Sequence, residues 1–317
     1  MNIKPKIAII VPAYNEEMTI SKVIENFYNK YPDAFYYVVD NNSTDKTSLY
    51  AKKTFDRLNC KGEIIFESKQ GKGNAIKNAF MNIDADVYVM VDADLTYSEN
   101  DLERMLKMVV DDKYDICVGD RHSDKVYKKI NKRKFHGFGN SLVRILVNIL
   151  FKSKLRDIMS GYRVFNKFFV KNFPIMSKGF EIETEMTLHS LDKNFKIIEV
   201  PISYRDRPEG SYSKLNTFLD GFKVIRTIFM IFKDYKPFLF FSFLSFLSLI
   251  FGLLVGMPVI IEFINTQYIT KVPSAILASG LMIISILFFG IGLILDSFIK
   301  IHKYNYQLKL LEFKRFH

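Results

Sequence analysis

The stretch Val87-Tyr88-Val89-Met90-Val91-Asp92-Ala93-Asp94 is an apolar run that closes on two carboxylates two positions apart. A short apolar run of this kind reads as a buried strand. Comparable runs occur at Lys6 to Val11, Phe35 to Asp40, Gly62 to Phe66 and Asp115 to Gly119, and helical periodicity lies between most of them, as in Met18 to Tyr31 and Thr44 to Leu58. This alternation predicts an α/β fold with a mostly parallel, Rossmann-like sheet. Ligands of such sheets gather beyond the carboxyl ends of the strands. Pro12 to Glu16, Asp40 to Asp45 and Asp92 to Leu95 all follow strands, so three polar clusters fall at one sheet edge and point to a single site.

Each cluster has two readings. Acidic loops after strands are often merely solvated, but a divalent ion held by Asp92 and Asp94 would bridge the phosphates of a nucleotide sugar and neutralise a leaving diphosphate. Ser43, Thr44 and Asp45 suit the start of a helix as caps. Asp40 or Asn41 can take a base or ribose while the next residues open that helix. Lys69-Gln70-Gly71-Lys72-Gly73 can cradle phosphate before a helix or form an ordinary turn. The two cysteines, Cys60 and Cys117, have no metal or disulfide spacing, and His122, His136 and His189 have no metal-ligand spacing.

The C-terminal third has a different composition. Phe238 to Ile261 and Ala275 to Leu295 contain no charged residue or histidine and read as two transmembrane helices. The first holds about seventeen Leu, Ile, Phe or Val residues, on the order of 5 to 10 kcal/mol towards insertion. The connection from Glu262 to Ser274 carries one acid and one lysine, whereas Lys223, Arg226, Lys233 and Lys236 precede the first span and Lys300, Lys303, Lys309, Lys314 and Arg315 follow the second. The positive-inside rule then places both ends and the catalytic domain in the cytoplasm, in a multi-pass protein of the cell membrane. Thr217 to Tyr235 mixes apolar and basic residues and reads as an amphipathic helix in the interface, with a core helix as the alternative. Met1 to Lys6 leads straight into a strand-like run, so no signal peptide is expected. The expected organisation is a catalytic domain over 1–215, an interfacial helix over 216–236, a transmembrane hairpin over 237–299 and a basic tail over 300–317. The net charge of +11 fits anionic headgroups or a phosphorylated lipid better than nucleic acid.

Pro12-Ala13-Tyr14-Asn15-Glu16, Val39-Asp40-Asn41-Asn42-Ser43-Thr44-Asp45 and Asp92-Ala93-Asp94, in this order, resemble the GT-A fold glycosyltransferases of family 2. Gly119-Asp120-Arg121, Asp157 to Arg163, Gly179-Phe180-Glu181 and Arg205 to Lys214 resemble the dolichol-phosphate mannosyltransferase branch and its bacterial polyprenyl-phosphate relatives. The resemblance implies that Pro12, Tyr14, Glu16, Asp40 and Asn41 line a nucleoside pocket. It also implies that Asp92, Ala93 and Asp94 meet Mg2+ or Mn2+ and the diphosphate. Glu181 belongs to the donor side, and Arg207 and Lys214 close a loop over the donor. Arg121, Lys132 and Arg133 take the acceptor phosphate. Asp157 stands near the anomeric centre, or else forms a structural ion pair with Arg163 or Arg156. Asp94, Asp157 and Arg121 are the expected catalytic residues. The implied partners are a nucleotide sugar, a polyprenyl phosphate, membrane lipids and other copies of the chain.

A lipid phosphate is largely a dianion at neutral pH, because its second pKa is near 6. It can attack the anomeric carbon without a strong general base, and the resemblance implies inversion. Rival readings are a catalytically silent membrane scaffold or flippase-associated subunit and a processive polysaccharide synthase. The synthase's Gln-x-x-Arg-Trp motif needs tryptophan, and the chain has none. A dinucleotide oxidoreductase would need Gly-x-Gly-x-x-Gly after the first strand, and Pro12 to Glu17 contains no glycine.

Overall fold

The computed structural model describes residues 4–123, 134–179, 181–208 and 228–316. The chain divides into two compact units, Met1–Gly221 and Phe222–His317.

In the first unit, strands β1 (Ile7–Ala13), β2 (Phe35–Asp40), β3 (Gly62–Phe66) and β4 (Val87–Met90) alternate with helices α1 (Ile20–Lys30), α2 (Thr47–Leu58) and α3 (Lys72–Asn82). Helix α4 (Leu102–Val110), β5 (Ile116–Asp120) and α5 (Lys134–Phe151) follow. Then come β6 (Arg163–Asn166), α6 (Lys167–Asn172), α7 (Ile182–Lys193) and β7 (Ile197–Pro201). The seven strands lie in the order β3-β2-β1-β4-β6-β5-β7. All described pairings are parallel except those of β6, which runs antiparallel to both neighbours. Five expected strands are present, and β2 and β3 have the anticipated bounds. Strand β4 stops at Met90, two residues before Asp92, so both carboxylates stand on the loop beyond the strand.

Ile9, Val38, Val89 and Val164 are fully buried. Strands covered on both faces read as continuous apolar runs, and β4 and β5 are buried at every position. Helix α1 seals one face with Ile20, Val23, Ile24 and Phe27, spaced at a helical period. The register aligns Ala13 with Asp40 across β1 and β2, and Ile10 with Met90 across β1 and β4. The carboxyl ends of these three strands are therefore level, at the point where the strand order reverses about β1.

In the second unit residues 228–235 are helical, followed by α8 (Pro237–Thr266) and α9 (Val272–Phe316). Both long helices are long and apolar enough to cross a membrane. Ser245 Oγ donates to the Ser285 carbonyl at 2.8 Å, and Ser285 Oγ donates to the Ser245 carbonyl at 2.9 Å. A Cβ on Gly252 would lie 3.2 Å from Met282 Sδ, and one on Gly292 would lie 3.1 Å from Phe241 Cβ. Small residues thus let the two helices approach, as in membrane helix pairs. The connection is shorter than expected, and the basic segment read as a tail continues α9 without a break to Phe316. At 45 residues, α9 is roughly 67 Å long, about twice the ~30 Å hydrocarbon core of a bilayer. Most of the expected interfacial helix lies outside the described residues.

Candidate active site

The loops after β1 and β2 are stitched together. Asn15 adopts a left-handed backbone, φ 53°, which asparagine tolerates. Its N–H donates to Ser43 Oγ at 3.0 Å, and its Oδ1 accepts from the Thr44 N–H at 2.8 Å. The Glu16 N–H donates to Thr47 Oγ1 at 2.8 Å, and the Glu17 N–H to Asp45 Oδ2 at 3.1 Å. Tyr14 and Glu16 are half-buried on this rim, as is Pro12 at the end of β1. Asp40 Oδ1 accepts from the Ser43 N–H at 2.8 Å, and Ser48 Oγ donates to its other oxygen. Asn41 ties in a third loop, since Nδ2 donates to the Lys69 carbonyl at 2.7 Å and Oδ1 accepts from the Gly71 N–H at 2.6 Å. Asp40 and Asn41 therefore shape the rim by bracing it.

The Gly71-Lys72-Gly73 tract serves close backbone approach. A Cβ on Gly71 or Gly73 would meet the Lys178 or Ser177 carbonyl oxygen at 2.1 or 2.2 Å, and Gly71 has φ 129°. The N–H groups of Gly73 and Asn74 donate to the Gly179 and Lys178 carbonyls at 3.2 and 3.3 Å. These bonds occupy donors that a phosphate cradle would use. What the tract delivers is Lys72, whose Nζ lies 2.5 Å from Glu183 Oε1 and 2.5 Å from Asp92 Oδ1. Burial alone would lower the lysine pKa, but the two carboxylates outweigh it, raise the pKa and keep the cation. Sequence reading selected Glu181, which is exposed; Glu183, two residues further into α7, takes the buried place against Lys72. No local motif links Lys72 to a residue 111 positions away.

Asp94 is buried. Its Oδ1 accepts from the Thr96 N–H at 3.2 Å and Oγ1 at 2.6 Å, and Arg207 Nη2 lies 2.7 Å from its Oδ2. Between them Leu95 holds φ 64°, an uncommon conformation for a bulky residue and one that clusters at functional sites. Ala93 is buried. A Cβ on Gly161 would sit 2.6 Å from Asp92 Oδ2 and 2.9 Å from Lys72 Nζ, so any side chain here would displace this pair. The Gly161 N–H donates to Tyr97 Oη at 3.0 Å, which locks the 157–163 loop to the loop after β4.

Asp157 is held by Arg121, not by Arg163 or Arg156. Arg121 Nε donates to Oδ2 at 2.7 Å, Nη2 to Oδ1 at 2.9 Å and the Arg121 N–H to Oδ2 at 3.1 Å. Burial pushes the Asp157 pKa up, but the Arg121 charge and hydrogen bonds outweigh it and hold the carboxyl below its ordinary range. Arg163 is fully buried and instead supports the loop backbone, donating from Nε to the Ser160 carbonyl and from Nη2 to the Ile158 carbonyl, each at 2.8 Å. Arg121 lies over the Tyr204 ring at 5.8 Å, and Tyr204 packs against Tyr97 at 5.8 Å, so the Arg121–Asp157 pair adjoins the Asp92 group. A pocket beside it is lined by Arg121, His122, Asn140, Arg144, Arg156 and Met159. Lys132, Arg133 and Lys214 lie outside the described residues.

Residues 8–173 match the family described as Glycosyl transferase family 2. The chain belongs to glycosyl transferase family 2. This family 2 glycosyltransferase is 29% identical over 308 residues to Glycosyltransferase AglJ of Haloferax volcanii, covering 96% of this chain and 97% of that protein. It is 25% identical to the Dolichyl-phosphate hexose transferase of the same organism, over 70% of this chain and 92% of that one. Its fold is the GT-A fold. It superposes on glucosyl-3-phosphoglycerate synthase from Mycobacterium tuberculosis, crystallised with Mn2+, UDP and phosphoglyceric acid, with a TM-score of 0.56. That match is 18% identical and covers 74% of this chain and 79% of that one.

The Asp92 and Asp94 carboxylates suit a hard divalent cation. Among the described residues no three His, Cys, Asp or Glu side chains converge as a metal cage, and two carboxylates completed by substrate phosphates and water is the usual donor set for Mg2+.

Proposed function

We propose that this glycosyltransferase moves a sugar from a nucleotide diphosphate donor to a polyprenyl phosphate, with inversion, at the cytoplasmic membrane face. The observation that carries this reading is the Arg207–Asp94 contact at 2.7 Å. It brings a cation of the 205–208 segment onto a carboxylate beside Asp92, where a diphosphate needs both positive charge and a metal. Similarity to a dolichyl-phosphate hexose transferase supports a lipid-phosphate acceptor. The two apolar helices support a membrane location.

In this reading Asp92 and Asp94 would hold Mg2+ or Mn2+, which would supply charge neutralisation for a diphosphate leaving group. Lys72 fixes the Asp92 carboxylate, and Thr96 fixes that of Asp94. Pro12, Tyr14, Glu16, Asp40 and Asn41 form the nucleoside rim, Glu181 stands at the donor side, and Arg207 with Lys214 covers the diphosphate. Arg121, with Lys132 and Arg133, draws in the acceptor phosphate. Asp157 is already ionised and bound at both oxygens, so its role is to aim Arg121 and not to accept a proton. An oxygen of the lipid phosphate dianion forms the new bond to the anomeric carbon. The bond from that carbon to the nucleoside diphosphate breaks on the opposite side, and no proton has to move. Positioning and charge compensation then supply the catalysis. The chain is organised as a cytoplasmic catalytic domain, an interfacial segment and a membrane hairpin, with both termini cytoplasmic.

The test is release of nucleoside diphosphate by the detergent-purified full chain across UDP- and GDP-sugars, with Mg2+ or Mn2+, with and without polyprenyl phosphate. Release from one donor that depends on the lipid supports the reading. Lipid-independent release, or none from any donor by folded protein, overturns it.

A further inference from the structure

Helix α9 carries two seams on opposite sides. One meets α8 at Ala278, Ser285 and Gly292. The other begins with Ile276, Gly280, Ile283, Leu287, Gly290 and Ile294 inside the apolar span and continues with Ser297, Ile301, Tyr304, Leu308 and Leu311. Its steps alternate between four and three residues throughout, which is the heptad period of paired helices. Among the described residues nothing covers this second seam. A Cβ on Gly280 or Gly290 would meet no atom within 4 Å, and Ile301, Tyr304, Leu308 and Leu311 are 57%, 65%, 41% and 63% exposed. The apolar span ends at Leu295, and Asp296 and Lys300 pair just after it at 2.8 Å. The helix then runs on to Phe316 with no glycine or proline after Gly292 to bend it towards the membrane plane. Leu311 therefore stands roughly 24 Å along the helix past Leu295, so the last apolar residues of the seam face water.

We propose that this seam docks on the same seam of a second copy of the chain, forming a parallel two-helix coiled coil that continues from the membrane into the water beyond it. Two copies inserted in one bilayer point the same way, so α9 meets its partner in parallel and each seam residue faces its own counterpart. The seam suits that constraint. Every one of its positions from Ile276 to Leu311 is uncharged, so no charge is set against itself. The flanking pairs of such a coil, Lys300 with the partner's Asn305 and Gln307 with the partner's Glu312, join no like charges. Glycine at two seam positions within the span lets the backbones approach, and Ile301, Tyr304, Leu308 and Leu311 supply the knobs outside it. Lipid selects no four-three repeat and does not reach Leu311. The pairing goes beyond the transfer reaction and rests only on the membrane location in the proposed function.

Disulfide trapping in the full-length protein, reconstituted in phosphatidylcholine vesicles, tests the pairing. Tyr304→Cys and Leu308→Cys lie on the seam, whereas His302→Cys and Lys309→Cys lie off it. The parent, with half-buried Cys60 and buried Cys117, sets the background. On copper-catalysed oxidation the seam variants should give at least about fivefold more disulfide-linked dimer than the off-seam ones. Dilution with about tenfold more lipid should leave that yield unchanged, as for a complex far above its dissociation constant. Melting of the reduced variants at the parent's temperature shows that they fold. Leu308→Glu combined with Leu311→Glu sets four carboxylates across the seam and should lower the particle mass measured by light scattering in detergent. Equal yields at all four positions, no linking at any, or linking that falls with lipid dilution overturns the pairing. Release of the parent from membranes by alkaline carbonate refutes the membrane location itself. Failure of the seam variants to link in carbonate-resistant protein refutes the pairing alone.

Discussion

Arg121 grips both carboxylate oxygens of Asp157, Nε at 2.7 Å and Nη2 at 2.9 Å, in a two-pronged pair whose carboxylate is buried. Residues 36 positions apart are thus one unit. Removing either leaves the other charged and uncompensated, which typically costs about 3–5 kcal/mol.

The pair has a pH signature. The folded pKa of Asp157 lies below its ordinary value, so its contribution to stability is present above about pH 4 and is lost as pH falls through the folded value. In Arg121→Ala, burial then pushes the carboxyl pKa upward. The melting deficit of that variant relative to the parent should be largest near pH 7 and shrink towards pH 4. Equal deficits at both pH values would show that the ion pair is not the stabilising contact.

Asp94→Asn should lower transfer by about 100- to 1,000-fold, the scale of losing one group that stabilises transition-state charge, while leaving the protein folded. Chelation of divalent ions should cause a loss of similar size in the parent and little further loss in the variant. Independent, multiplicative losses would separate Asp94 from the metal.

Lys72→Met leaves Asp92 and Glu183 facing each other without the shared cation. It should destabilise by about 3–5 kcal/mol, and a second change, Glu183→Gln, should restore part of the loss. A double-mutant cycle in thermal unfolding reads the coupling, expected at about 0.5–3 kcal/mol. Strict additivity would mean that the two residues do not act together.

Gly161→Ala places a methyl within 2.6 Å of Asp92 Oδ2. The carboxylate is at the end of a rotatable side chain and can swing away, so the fold should survive with a melting shift of a few degrees while transfer falls at least about tenfold. Unchanged transfer would show that the Asp92 orientation does not matter to the reaction.

The sheet edge was legible in the sequence because its signals are local: five apolar runs, three of them followed by a polar cluster, and β2 and β3 fall on the expected residues. Strand β6 was not, because Arg163–Asn166 is four residues long and opens on an arginine. Its fully buried guanidinium is satisfied by carbonyls that only the folded loop supplies. Asp157 stood out by its motif, but its partner did not, since Arg156 and Arg163 are nearer in sequence than Arg121. Glu183 was missed for a related reason: Glu181, Glu183 and Glu185 are equivalent as text, and only the helix phase decides which meets Lys72.

The reciprocal serines of the hairpin have a mechanical consequence. Ser245 and Ser285 each donate to the other's backbone, so sliding α8 along α9 by even one helical turn, ~5.4 Å, breaks both bonds together. The reciprocal pair therefore acts as a register pin: it fixes which level of α8 meets which level of α9.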